Sequence, residues 1–304
     1  MQNPDRLPPR DLPRRRSGRH RNPLSFDSWV GTPTLVLAVP AGAPEAGGSD
    51  SAADAEIGEQ MADLVRSYRP EVTIRHGRAA DLAESLGDLE AREEHPLRGV
   101  VVPLVTAPHQ ATSEAVAASV QESGADVRIT EALGPHPMLA EILHLRLAES
   151  GFVRADRMRL ISVVAPGTQM TDGVVVGAVG GAEAVSAAGV TAVLLAARLG
   201  ITVLPADLED EASLQEAFDQ MSAAGCARPV IAPSVVGPEF SAERLEESAQ
   251  RYGARTSAPL GAGSTLAKIA ALRYAEVLNS LGSEAPPTAE DIPAPVGSRH
   301  RPEN

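Results

Sequence analysis

The chain repeats itself at long range, and this repeat constrains its fold more than any other feature. Residues 133–149, LGPHPMLAEILHLRLAE, return 127 positions later as LGAGSTLAKIAALRYAE at 260–276, with nine of 17 pairs identical. Two shorter pairs keep nearly the same offset: Val39-Pro40-Ala41-Gly42 with Ala165-Pro166-Gly167-Thr168, and 103–109 (PLVTAPH) with 233–239 (PSVVGPE). Solenoid repeats run to about 20–50 residues, so a period this long predicts a duplicated domain. In such a molecule function is expected where the copies face each other and where they differ.

The 304 residues have room for two such copies, each able to bury a core. Aromatics make up only 3 % of the chain, so those cores must be aliphatic. Short β-branched apolar runs alternate with longer Ala-, Glu- and Leu-rich segments of helical period, which predicts βα units around parallel sheets. The fold class expected is α/β, with two duplicated flavodoxin-like halves and helices on both faces of each sheet. In the first half, 33–152, strands are predicted near 34–39, 72–75, 99–104 and 126–129, and helices near 54–69, 79–89, 111–123 and 137–150. In the second half, 153–282, the strands fall near 160–165, 201–204, 229–233 and 254–257, and the helices near 180–199, 212–224, 241–252 and 265–280. Residues 1–32 are rich in Arg and Pro and 283–304 in Pro and Glu; neither buries enough apolar surface to offset chain entropy, so both are expected to be disordered tails.

Charge and cysteine usage exclude several function classes. Cys226 is the single cysteine, which rules out an internal disulfide framework and any multi-cysteine metal cluster. The formal charge of −13 argues against nucleic-acid binding. Seven arginines lie within residues 1–22, so the rest of the chain is more acidic still. Arg14-Arg15-Arg16 upstream of Thr34–Val39 has the outline of a twin-arginine export signal, but the apolar run is short and Pro40 cuts it. It reads instead as the first strand. No stretch reaches about 18 consecutive apolar residues, so no membrane span is expected, and the chain is placed in the cytoplasm.

Ligands of open parallel sheets bind beyond the carboxyl ends of the strands. That rule gathers 40–44, 105–109, 167–172 and 235–240 around one cleft. His109 is the candidate metal ligand or proton acceptor there, and its counterpart in the other copy is Glu239, a second residue able to bind metal or move a proton. His136 and His144 pair with Gly263 and Ala271, so the shared scaffold does not require histidine at either place; His136 stands ready to cap a helix and His144 is structural. Gly261–Thr265 and Gly177–Gly181 lack the spacing of a P-loop or dinucleotide fingerprint and read as turn and packing glycines. Arg146 and Arg273, retained in both copies, suggest a salt bridge within each unit.

These features together resemble the sirohydrochlorin chelatase family in its long, two-copy form, over about residues 33–280. The likeness rests on Leu35–Val39, on Val101-Val102-Pro103-Leu104 followed by His109, on Leu133-Gly134-Pro135-His136-Pro137 leading into a helix, and on their second-copy counterparts through Leu260-Gly261-Ala262. The resemblance implies insertion of Co2+ or Fe2+, as substrate, into sirohydrochlorin or a related tetrapyrrole for siroheme or cobalamin. No organic cofactor is implied. Metal contact and catalysis fall to His109 and Glu239, and a paralogous chelatase or another tetrapyrrole-pathway enzyme is the implied protein partner.

The family's His-Gly-Ser after the first strand is replaced by Pro40-Ala41-Gly42, with Pro166-Gly167-Thr168 read as equivalent in the second half. Proline neither ligates a metal nor accepts a proton. A second expectation therefore stands beside the enzyme: a tetrapyrrole- or metal-binding carrier or regulator on the same fold. A nucleotide-binding flavodoxin-like protein would need phosphate-cradling loops that the sequence lacks.

Overall fold

The computed structural model describes residues 33–40, 51–90, 97–154, 170–237 and 239–284. Both expected tails, 1–32 and most of 283–304, lie outside these. Eight strands form two four-stranded parallel sheets. The first has the order β2-β1-β3-β4, from β1 (Thr34–Val39), β2 (Ile74–Arg78), β3 (Gly99–Pro103) and β4 (Val127–Ile129). The second repeats it as β6-β5-β7-β8, from β5 (Gly173–Ala178), β6 (Thr202–Asp207), β7 (Pro229–Pro233) and β8 (Arg255–Thr256). The helices are α1 (Ser51–Tyr68), α2 (Ala83–Gly87, after a 3-10 turn at 79–81), α3 (Gln110–Ser123), α4 (Pro137–Glu149), α5 (Gly181–Leu199), α6 (Glu211–Ala223), α7 (Ala242–Arg251) and α8 (Ser264–Glu284).

Alternation along each central strand divides the core into layers, because successive side chains point to opposite faces. Val36, Ala38 and Val101 turn outward under Leu82, Leu86 and Val116 of the η-turn, α2 and α3. Val175 and Ile231 do the same under Leu214, Phe218 and Leu245 of α6 and α7. The opposite faces, Leu35, Leu37, Val100 and Val102 of one sheet and Val174, Val176, Val230 and Ala232 of the other, share one continuous core with α1, α4, α5 and α8.

Those central helices are exchanged. α8, the last helix of the second half, packs on α1 and β3 of the first, whereas α4 of the first half packs on α5 and β7 of the second. Tyr274 of α8 is fully buried and donates its hydroxyl to the Pro33 carbonyl at 2.7 Å. Arg146 of α4 donates Nε to the Leu260 carbonyl at 3.0 Å. α5 is long and apolar enough to cross a membrane by length and composition, although Glu183 and Arg198 interrupt its apolar run. Its Ala184, Ala188, Ala192 and Leu195 are spent on the core.

The first strand of the second half departs from the sequence reading. The expected strand at 160–165 lies outside the described residues, and Gly173–Ala178 takes the central place. The expected helix at 79–89 is likewise broken into a 3-10 turn and the short α2.

Candidate functional site

The two sheets meet at the carboxyl ends of β3 and β7. Equivalent hydrogen bonds define this edge in each half: Leu104 N–H to Ala38 O and Leu133 N–H to Val105 O in the first, Ser234 N–H to Gly177 O and Leu260 N–H to Val235 O in the second. The Thr106 hydroxyl donates to the Ser234 carbonyl and ties the two loops together. Gly180, at φ +122, lies so close to the Pro108–His109 backbone that a Cβ would stand 2.4 Å from Pro108 O. Only glycine tolerates both that dihedral and that approach.

The same hydrogen bonds settle which residues are equivalent. Ala38 corresponds to Gly177, so Pro40 corresponds to Val179, and not to Ala165-Pro166-Gly167 as the sequence offset suggests. Both first strands therefore end in aliphatic side chains without donor atoms. Residues 167–169 lie outside the described set. Asp172 precedes β5, at the far edge of the sheet, where its carboxylate accepts from Ala227 N–H and Arg228 N–H at 3.0 and 2.8 Å. It takes no part in the cleft proposed for 167–172. Of the segment 40–44 only Pro40 is described, buried at the end of β1.

His109 is the N-cap residue of α3. Its Nδ1 is hydrogen-bonded to the buried Thr112 hydroxyl at 2.7 Å, which fixes the ring and leaves Nε2 as the nitrogen for a ligand. Burial pushes the imidazole pKa down, opposed by the Glu209 carboxylate beyond β6, so the ring is neutral and ligand-competent at pH 7. Sequence reasoning missed Glu209, which follows directly on the β6 edge residues Asp207 and Leu208; the alternation that places β6 was its only signal. Glu239 is 5 % exposed and accepts from Val236 N–H at 3.0 Å and Gly237 N–H at 2.7 Å. Burial raises its pKa; the two backbone N–H groups oppose this and the Asp54 carboxylate of α1 adds to it.

His109 and Glu239 line one cavity with Thr106, Val179 and Ser234, of about 10 Å3. That is room for about one water. Among the described residues no group of three or more His, Cys, Asp or Glu side chains is placed to hold a metal ion. His136 accepts from Met138 N–H at 3.2 Å and caps α4. His144 is buried in α4, its Nδ1 accepting from Arg198 Nε at 2.7 Å and its Nε2 lying 2.8 Å from the Arg154 carbonyl. Arg146 and Arg273 pair with Glu149 and Glu276 at 2.8 and 2.9 Å.

Three solved structures align with this architecture over more than four fifths of the chain. A sirohydrochlorin chelatase, SirB, from Bacillus subtilis subspecies spizizenii in complex with cobalt aligns with a TM-score of 0.51 at 12 % identity, over 83 % of this chain and 98 % of its own. The fold is that of the sirohydrochlorin chelatases. SirB from Bacillus subtilis with Fe3+ aligns at 0.52 and 14 % identity, over 82 % of this chain and 98 % of its own. CbiX, described as the terminal enzyme of siroheme biosynthesis in denitrifying bacteria, aligns at 0.50 and 18 %, over 81 % and 98 %. No protein-family model and no curated protein matches at the level of sequence, so the likeness is one of fold.

Proposed function

We propose that this protein is a sirohydrochlorin chelatase-like protein that handles a divalent metal, Co2+ or Fe2+, and a tetrapyrrole of the siroheme or cobalamin routes. The observation that carries the reading is the meeting of His109 and Glu239, one from each half, on one cavity at the joined sheet edges of a chelatase fold. We further propose the half boundaries 33–152 and 153–282, on the strength of the repeat, and a place in the cytoplasm, since the apolar run Thr34–Val39 forms the central strand β1.

In the enzymatic form of this reading a divalent ion displaces two pyrrole N–H protons, so one metal enters as two protons leave. Neutral His109 supplies Nε2 to the incoming ion, held in orientation by Thr112. Glu239, whose pKa burial raises, accepts one proton from the ring and water takes the other. For a macrocycle to reach both residues the loops after β3 and β7 must move apart, since the gap between them is about 10 Å3. Sirohydrochlorin with Co2+, followed by absorbance, tests this: His109→Ala should slow insertion at least tenfold. Insertion no faster than the protein-free rate in the unaltered protein would overturn the enzymatic form.

The second reading, a carrier or regulator that binds tetrapyrrole or metal without inserting one into the other, is favoured by two observations. Pro40 and Val179 end the first strands without a ligand atom, and the cavity between the sheet edges holds no more than a water. The same assay separates the two readings, since the carrier binds sirohydrochlorin and accelerates nothing.

A further inference from the structure

α1 and α5 hold the same place in the duplicated plan: each follows the central strand of its half, α1 packing on β1 and β2 and α5 on β5 and β6. Their water-facing surfaces are opposite in character. α1 exposes Glu56, Glu59, Asp63 and Arg66, as a solvated helix face does. α5 exposes Ala182, Ser186, Val190, Val193, Leu194 and Ala197, with Glu183 as its one exposed charge.

Ala182, Ser186, Val190, Val193 and Ala197 recur at helical spacing, so they form one stripe about 28 Å long, with Leu194 beside it. Five large apolar side chains are exposed among the described residues, and three stand on this helix: Val190 at 50 %, Val193 at 69 % and Leu194 at 38 %. The plan does not require an apolar surface there, since α1 folds in the same place with charge on it. Contiguous apolar surface of this kind marks an interaction site.

Charge decides what covers it. The chain carries −13 overall, and other outer helices present carboxylates to water: Glu114 and Glu122 on α3, Glu216 and Asp219 on α6, Glu243 and Glu246 on α7. A second copy of so acidic a chain is repelled at each of those faces and meets no row of carboxylates at α5. The stripe also complements itself. In an antiparallel pair with a two-fold axis beside Val190, Leu194 of one copy falls opposite the small Ser186 of the other. Glu183 falls opposite Ala197, at the end that carries Arg198, and about 21 Å along the helix from the second Glu183.

We propose that the outer face of α5 is the interface of a two-fold symmetric dimer of this chain. An interface one helix wide is smaller than the roughly 800 Å2 per partner of a standard complex, so the dimer is reversible, in the micromolar range.

Sedimentation velocity of the full chain between about 1 and 100 μM tests this. The weight-average mass should rise from 31.6 kDa toward twice that value. Added NaCl should strengthen association, because it screens the repulsion of two acidic bodies and leaves an apolar contact intact. Val193→Glu, at a water-exposed position, should stay monomeric throughout, whereas Glu59→Gln on α1 should dimerise as the unaltered chain does. Val190→Cys in a Cys226→Ser background should form a disulfide-linked dimer on air oxidation, and Glu59→Cys in the same background should not. A chain that stays monomeric at the highest concentration overturns the proposal. A dimer that Val193→Glu leaves intact, or that Val190→Cys fails to cross-link, overturns it as well. Cosedimentation of a monomer with phosphatidylcholine vesicles, abolished by Val193→Glu, would give the face to lipid and overturn it too.

Discussion

At the scale of single residues, Glu239 shows how a carboxyl group can serve structure and chemistry together. Its two oxygens satisfy the Val236 and Gly237 N–H groups in a loop that would otherwise bury them unpaired. Because its pKa is raised, the folded state holds this proton more tightly than the unfolded chain. The stabilisation is complete below the unfolded carboxylate pKa of about 4.3 and is lost as pH rises toward the folded value. Glu239→Gln removes that titration, so urea unfolding between pH 4 and 7 should show a shallower loss of stability with pH in the variant. His109 works in the opposite sense. Its lowered pKa makes the folded state resist protonation, so its contribution weakens as pH falls below about 6.5. Gly180 is the strictest position at the junction. Gly180→Ala combines φ +122 with a clash on Pro108 O and should cost about 2–3 kcal/mol, read as a lower urea midpoint.

At the scale of elements, the two halves repeat one plan and differ where their helices are fastened. Arg146 and Arg273 occupy equivalent places on α4 and α8, and each pairs with a carboxylate three residues on. Of the two, Arg146 also reaches across to a carbonyl of the other half, Leu260 O, whereas Arg273 Nε is buried without a hydrogen-bond partner among the described residues. A charged hydrogen bond of that kind contributes about 1.5–3 kcal/mol, against at most about 1 kcal/mol for an exposed ion pair. Arg146→Met should therefore destabilise the protein by at least about 1.5 kcal/mol and Glu149→Gln by under about 0.5 kcal/mol in the same denaturation assay. The salt bridge expected from the sequence is present, yet the sequence pattern holds no sign of the cross-half bond. α7 begins two residues later relative to β7 than α3 does relative to β3, and its cap is Ser241 in place of a histidine. That longer loop lets Glu239 fold back onto its own backbone while His109 sits at a helix start.

At the scale of the whole molecule, exchanged helices make two similar halves into one folding unit. Leu266, Ala270 and Leu278 of α8 belong to the same core as Leu35 and Val102, and Leu139 and Leu143 of α4 to the same core as Val176 and Val230. A chain cut after residue 154 loses α8 and bares the inner face of the first sheet. We expect the full protein to unfold in urea in a single transition by both circular dichroism and fluorescence of an extrinsic label. Residues 1–154 alone should fail to fold, and adding residues 155–304 in the same cell should restore soluble protein. Two separate transitions would show that the shared core does not couple the halves.

Much of this arrangement was open to reading from the sequence because local patterns report local physics. Continuous apolar runs such as Gly99–Pro103 mark strands buried on both faces, and the 127-residue repeat marks the duplication. The offset of 130 between Pro103 and Pro233 agrees with the sheet hydrogen bonds as far as Val105 and Val235, but the two extra residues before α7 put Ser241 at the helix-cap place of His109, so His109 and Glu239 correspond by sequence offset alone. The one misplaced strand failed for a physical reason: Leu160–Ala165 and Gly173–Ala178 are both apolar, β-branched runs, and composition cannot choose which of them pairs with β6 and β7. Tertiary structure alone decided the helix exchange, the ring nitrogen His109 keeps for a ligand, the burial of Glu239 and the volume left between the halves. Each of these depends on contacts between segments more than 100 residues apart or on side chains packing in three dimensions, and no periodicity along the chain encodes them.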